Sequence, residues 1–287
     1  MAGYYPGMTR PISLAHLTVL DTTPPELATV AAAAGFRTIG IRLTATPSVG
    51  IPPYTDEMLR GGPLLRETLR RLDDTGVSVL DTEFLRFEPD QPVGIPEGFL
   101  EASARLGAKN VLVMSAEPEE ARTLERFCEL CDRAAVYGLQ VGLEFAVYTG
   151  VRTLARAAEM VARSKRANAS VLIDALHFSR SGGLPSHVAS VDPSLLRYAQ
   201  ICDAGPDMPG PGDTSALIRE ARTGRLLPGE GVLPLAELVG ALPESAPLAI
   251  EAPCRDTAHL PALERAKRAH QALSALVERA GERRDGH

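Results

Sequence analysis

A single (β/α)8 barrel is the fold class that this 287-residue sequence predicts. Eight short apolar runs rich in branched residues alternate with eight amphipathic helical patterns. Glycines at 35, 76, 107 and 138 each follow a helical run and precede a strand, where a left-handed residue stops a helix. No GxGxxG follows the first strand, which counts against the runner-up, a doubly wound open sheet.

In chain order, the first strand is expected over 12–19 (ISLAHLTV), with a helix over 25–34. The second, 37–43 (RTIGIRL), leads through the Pro- and Gly-rich segment 44–54 to a helix over 55–74. The third, 77–86 (VSVLDTEFLR), precedes a helix over 97–106, and the fourth, 109–115 (KNVLVMS), one over 117–137. The fifth, 139–146 (LQVGLEFA), is followed by a helix over 151–164 and the sixth strand, 170–176 (SVLIDAL). The seventh, 196–202 (LRYAQIC), opens the long connection 203–231, with helical patterns at 213–222 and 233–241. The eighth is 247–251 (PLAIE), and the last helix covers 257–281. Residues 1–287 are expected to form one domain, with 257–287 a C-terminal helix and a short disordered tail. Connections after strands line the C-terminal face of a barrel, so specificity is expected in 44–54, 84–97 and 203–231.

A net charge of −6 offers no basic field for nucleic acid. No apolar run approaches the roughly 20 residues of a membrane span. The first residues lack a signal peptide's basic region and apolar core, so a cytoplasmic location is expected. Cys128 and Cys131 form a CxxC, but inside a helical pattern and without a second pair, which disfavours a zinc or redox role. Dimers and tetramers are the general expectation for the assembly.

Four of the strand segments each carry one polar residue near the end: Glu144 in VGLEFAV, Asp174 in SVLIDALHF, Gln200 in RYAQICDA and Glu251 in PLAIEAP. In a closed barrel the ends of strands five to eight form one arc, and alternation sends these four side chains inward together. Taken singly, Glu144 or Asp174 reads as half of a buried ion pair, and Gln200 as a satisfied core amide. Three acids and an amide at one place call instead for a hard cation with oxygen ligands. One divalent ion, manganese or magnesium, is the expected cofactor.

Such an ion polarises a carbonyl and acidifies the neighbouring C–H. A positioned carboxylate, Glu144 or Glu251, then removes that proton and leaves a metal-stabilised enediolate. Reprotonation gives isomerisation or epimerisation; loss of a β-hydroxyl gives dehydration. His177, three residues past Asp174, is the expected acid or hydroxyl donor. Arg225, Arg42, Arg86, Glu83 and His16 are the expected contacts to substrate oxygens. The bland readings are a capping His177, a His16 packed on the barrel floor, an exposed Arg225 and a surface pair of Glu83 with Arg86.

The ordered set resembles the xylose isomerase-like TIM barrels. That family's pattern is a Glu on strand five, Asp-x-x-His on strand six, His or Gln on strand seven and Glu on strand eight. Here these positions are Glu144, Asp174 with His177, Gln200 and Glu251. The segment from Arg225 to Gly231, RLLPGEG, is similar to the epimerases' R-x-x-P-G-x-G loop, whose Arg contacts substrate. The resemblance implies a metal-dependent isomerase or epimerase acting on a sugar or related polyhydroxy carbonyl compound. Gln200 followed by ICDA is closer to the dehydratase branch, so a lyase of 3-dehydroshikimate- or inosose-like substrates is the alternative.

Other functions of this fold fit the sequence less well. A DNA-repair endonuclease needs a histidine-rich zinc cluster and a cationic face. A binding barrel without catalysis has no use for the intact acidic set. A Schiff-base aldolase needs a lysine inside the barrel, yet Lys109 starts strand four and Lys165 and Lys267 fall in helical segments.

Overall fold

The computed structural model describes residues 10–44, 54–89, 95–210 and 212–285. Eight parallel strands close on themselves in chain order. They are β1 (Ile12–Leu14), β2 (Thr38–Arg42), β3 (Ser78–Phe87), β4 (Asn110–Ser115), β5 (Gln140–Glu144), β6 (Ala169–Asp174), β7 (Ala199–Ile201) and β8 (Leu248–Ile250). The strands are mostly apolar because side chains on both faces are buried: one face packs against helices, the other fills the barrel. Leu80, Leu112, Met114, Leu172, Tyr198 and Ala249 belong to the interior cluster.

The outer helices are α1 (Pro24–Ala34), α2 (Thr55–Leu59), α3 (Pro63–Thr75), α4 (Phe99–Arg105), α5 (Glu120–Ala135), α6 (Leu154–Ser164), α7 (Ala175–Arg180), α8 (Pro185–Val188), α9 (Thr214–Thr223), α10 (Leu235–Ala241) and α11 (Ala262–Asp285). Thr23 and Glu26 form a reciprocal capping box that starts α1, and Gly35 at φ +100° ends it. Among the described residues, no helix is long and apolar enough to cross a membrane.

The eight strands and the closed order match the expected architecture. The seventh strand is shorter than expected, Ala199–Ile201, a short helix at Pro185–Val188 is not among the expected elements, and there are four further local differences. The run 12–19 is not one strand: β1 stops at Leu14, and His16–Val19 form a 3-10 turn. Thr18 secures that turn by donating from Oγ1 to the Ile250 carbonyl at 2.9 Å. The expected helix 55–74 is two, because Gly61 takes φ +71° and Pro63 has no N–H to continue the ladder. The sixth strand ends at Asp174, not 176, and α7 begins there. The last helix starts at Ala262, after a 3-10 turn at Arg255–Thr257. It also runs on to Asp285, through most of the short tail expected after 281, and only 286–287 of that tail lie outside the described residues, as do 45–53, 90–94 and 211 of the expected specificity loops.

Register explains why the polar residues converge. Glu144 is level with Leu172 on β6, Asp174 with Gln200 on β7, and Gln200 with Ala249 on β8. Residues two apart on a strand share a face. Leu172 and Ala249 face the barrel interior, so Asp174 and Glu251, two positions further along, face inward at the C-terminal end.

Candidate active site at the C-terminal mouth of the barrel

Glu144 and Asp174 close their strands, Gln200 is the middle residue of β7, and Glu251 follows β8 directly. All four are buried. Asp174 also begins α7: its Oδ1 accepts the His177 N–H at 2.9 Å. That cap brings His177 back over the barrel. Glu144, Asp174 and His177 offer ligand atoms within 4.8 Å of one another, a candidate metal-binding group. His177 Nε2 lies 3.9 Å from Glu144 Oε1 and 3.4 Å from the Tyr148 hydroxyl.

Arg225 stands among these acids. Its Nη1 donates to Asp174 Oδ2 at 2.5 Å and lies 3.1 Å from Glu251 Oε2. Its Nε donates to the Ala221 carbonyl at 2.7 Å. The exposed-loop reading of Arg225 is therefore wrong: the guanidinium is buried and committed to two carboxylates, although it borders the cavity. Gln200 turns its nitrogen to the acids, donating to Glu83 Oε1 at 3.0 Å and Glu251 Oε1 at 3.3 Å. Its Oε1 is buried and has no hydrogen-bond partner.

The remaining expected contacts divide. Glu83, wholly buried, pairs with Arg42 at 3.0 Å, not with Arg86. The peptide between Glu83 and Phe84 is cis. Arg86 borders the cavity with its Nε 2.8 Å from Glu88 Oε1. His16 is fully buried and does not line the cavity. Its Nε2 meets the Thr22 carbonyl at 2.9 Å and its Nδ1 accepts the Arg42 N–H at 3.2 Å. Both ring nitrogens are spent on the backbone, so His16 braces β1 against β2 and is not placed to contact substrate.

Two polar residues that the sequence did not flag line the same cavity of about 70 Å3 as Glu144, His177 and Glu251: Tyr148 and Arg222. Tyr148 lies four residues past Glu144, in the loop after β5, and its ring packs edge-on to His177. A second cavity of about 330 Å3, lined by Arg219 and Arg255 among others, also borders Arg225.

The RLLPGEG segment is positioned by Asp203. This residue accepts the N–H groups of Ala204 and Leu233 on Oδ1 and of Gly229 on Oδ2, each between 2.9 and 3.0 Å. The backbones of Asp203 and Leu226 also exchange two hydrogen bonds. A Cβ on Gly231 would stand 2.2 Å from the Ala204 carbonyl oxygen, so the loop closes only over a glycine. This knot holds Arg225 in the mouth.

The electrostatics are unbalanced. Asp81, Glu83, Glu144, Asp174 and Glu251 are five buried carboxyl groups, against two buried guanidiniums, Arg42 and Arg225. Burial, then Asp174 and Glu251, push Glu144 well above the usual carboxylate range. Burial pushes Glu251 up to about 8 despite Arg225. Asp174 goes the other way: burial raises it, but Arg225, His177 and its hydrogen bonds together hold it low. Burial lowers His177 to about 4, so its imidazole is neutral near pH 7. The donors fit a divalent cation: carboxylates in excess, an imidazole, and a buried amide oxygen without a partner.

One curated relative is the 3-dehydroshikimate dehydratase of Pseudomonas aeruginosa, 26% identical over 255 residues. The match covers 83% of this chain, and the chain spans only 37% of that protein's length. A xylose isomerase-like TIM barrel/4-hydroxyphenylpyruvate dioxygenase fusion protein superposes with a TM-score of 0.79 at 20% identity, over 97% of this chain and 44% of its own. The IOLI protein, solved with a bound zinc atom, gives 0.78 at 22% identity, over 95% and 99%. Enzymes named among the proteins of this fold include epimerases and dehydratases. Residues 28–277 match the sequence pattern of the xylose isomerase-like TIM barrel, and the chain belongs to that family.

Proposed function

We propose that the protein is a divalent-metal-dependent dehydratase acting on a small polyhydroxylated carbonyl compound of the 3-dehydroshikimate type. The observation that carries this reading is the excess of buried carboxyl groups at the mouth of the barrel, together with a Gln200 oxygen left without a partner. Glu144, Asp174, Glu251 and Gln200 would hold the ion, with His177 beside them. Their mostly oxygen donors favour manganese or magnesium. When bound, the ion supplies Lewis acidity to a substrate carbonyl.

The chain's own groups supply the proton transfers. Glu251 or Glu144 takes the proton from the carbon beside the carbonyl. His177 Nε2 and the Tyr148 hydroxyl, 3.4 Å apart, hold the β-hydroxyl that departs. The proton taken by the carboxylate returns to that hydroxyl, which leaves as water, and the protein ends in its starting protonation state. The dehydratase outcome draws on the curated relative and on Gln200.

The second reading is epimerisation or isomerisation of a ketose by the same residues. Two carboxyls with raised pKa, Glu144 and Glu251, line one cavity, as a reaction that removes and returns a proton at different faces needs. Incubation with 3-dehydroshikimate and, separately, with ketoses separates the two. Ultraviolet absorbance from a conjugated product is expected with 3-dehydroshikimate. Absence of that product, with ketose interconversion detected by chromatography, would replace the lyase reading with the isomerase one.

A further inference from the structure

Glu83, Glu144 and Glu251 line the cavity together with four guanidiniums, those of Arg42, Arg86, Arg222 and Arg225. Arg42 is answered by Glu83, Arg86 by Glu88, and Arg225 by Asp174 and Glu251. Arg222 differs: among the described residues no carboxylate pairs with its guanidinium. It sits in the last turn of α9, three residues before the buried Arg225. A basic residue in a last turn is ordinary on helix-dipole grounds. The dipole does not account for a half-buried side chain facing a cavity that three other guanidiniums already line. Burial, with Arg86 and Arg42 nearby, weakens its hold on its proton, and only the Tyr148 hydroxyl works the other way. A desolvated cation without a counter-charge is a standing cost unless an anion arrives with the ligand.

We propose that Arg222 binds a carboxylate carried by the substrate, and so selects acidic over neutral polyhydroxy carbonyl compounds. The planar fork of a guanidinium matches a carboxylate in two parallel hydrogen bonds. The carboxyl groups of the cavity then receive the carbonyl and hydroxyl groups, and Arg222 fixes which way round the molecule lies. This inference rests on the dehydratase reading for the identity of the acid, and its test separates the failure of one from the failure of the other.

The test is calorimetric titration of the full chain, supplemented with manganese, with shikimate and with its neutral methyl ester. Shikimate has no ketone to react. Wild type is expected to bind the acid at least 10-fold more tightly than the ester. Arg222→Gln is expected to weaken the acid by about 10- to 100-fold, the range for one charge-assisted contact, and to leave the ester nearly unchanged. Arg222→Lys should restore part of the preference, and Arg219→Gln, in the neighbouring cavity, should change nothing. Equal binding of acid and ester by wild type, no binding of either, or an unaltered preference in Arg222→Gln would overturn the proposal. With 3-dehydroshikimate, Arg222→Gln should raise KM with little change in kcat. Arg222-dependent shikimate binding without dehydration would leave the carboxylate site standing and remove the lyase reading. Dehydration with an unaltered KM in Arg222→Gln would do the reverse.

Discussion

Stripped of metal, the protein is expected to lose stability as pH rises above neutrality, and Glu251→Gln is expected to remove part of that loss. Burial lifts the Glu251 carboxyl from 4.5 to about 8. Between those values the folded chain keeps a proton that the unfolded chain has released, so stability falls as pH rises. The histidines oppose this at lower pH only: His16 and His177, lowered from 6.5 to about 4, give stability that rises with pH up to 6.5 and then stays level. The clean window is therefore pH 6.5 to 8. One pKa unit corresponds to about 1.4 kcal/mol, so the Glu251 contribution across that window is about 2 kcal/mol. Glutamine keeps the shape and cannot titrate. It also relaxes Glu144, which Glu251 helps to raise, so the measured difference should be no smaller. The chain has no tryptophan, and unfolding is best followed by far-ultraviolet circular dichroism in urea. Wild type treated with chelator should lose about 2 kcal/mol more than Glu251→Gln between pH 6.5 and 8. Saturating manganese should abolish the slope in wild type, because the ion holds the carboxylate ionised. Parallel slopes for the two chelated proteins would refute the reasoning about the buried acids.

Elemental analysis of protein purified without chelator should find about one manganese or magnesium per chain. At 100 times its dissociation constant the ion should add about 2.7 kcal/mol to the unfolding free energy, and Asp174→Asn should show no such gain. Glu144→Gln should lose turnover while its circular dichroism spectrum stays native; retained turnover would remove Glu144 from the chemistry. His16→Gln should flatten the acid limb. His16 needs to be neutral to accept from Arg42, so wild type should lose up to about 3 kcal/mol through it as pH falls from 6.5 to 4, and identical acid limbs would dismiss the bracing role. Gly150→Ala should cost about 1–3 kcal/mol in urea unfolding, since the new Cβ would meet the Glu117 carbonyl oxygen at 2.1 Å.

The barrel was legible because burial on both faces leaves strands as unbroken apolar runs between glycine-stopped helices. The same rule misplaced the first strand's end. His16–Val19 is as buried and apolar as a strand, and what bends it is a contact 232 residues away, Thr18 to Ile250, that no local pattern encodes. Asp174 hid α7 in a similar way. Read as the last residue of a strand, it is also the cap of the helix that delivers His177.

The candidate site shows the same division. Glu144, Asp174, Gln200 and Glu251 could be grouped from strand parity alone, since residues near equivalent ends of neighbouring barrel strands must face one another. What fills the space between them could not. Arg225 reaches Asp174 and Glu251 only because Asp203 ties the backbone at 204, 229 and 233 into one knot and Gly231 lets two chain segments touch. In the sequence, the arginine and the glycines carry meaning only through resemblance. In the structure, the glycine is required by a carbonyl oxygen, the aspartate by three N–H groups, and the arginine by two acids that otherwise share a buried space with like charge. That last requirement links Arg225 to the ion: a guanidinium paired to Asp174 and Glu251 answers the charge a divalent cation would answer, so the two compete for the same oxygens. An Arg225→Gln protein should therefore be less stable when chelated and gain more from manganese than wild type does. Equal gains in thermal unfolding would mean that arginine and ion use different faces of those acids.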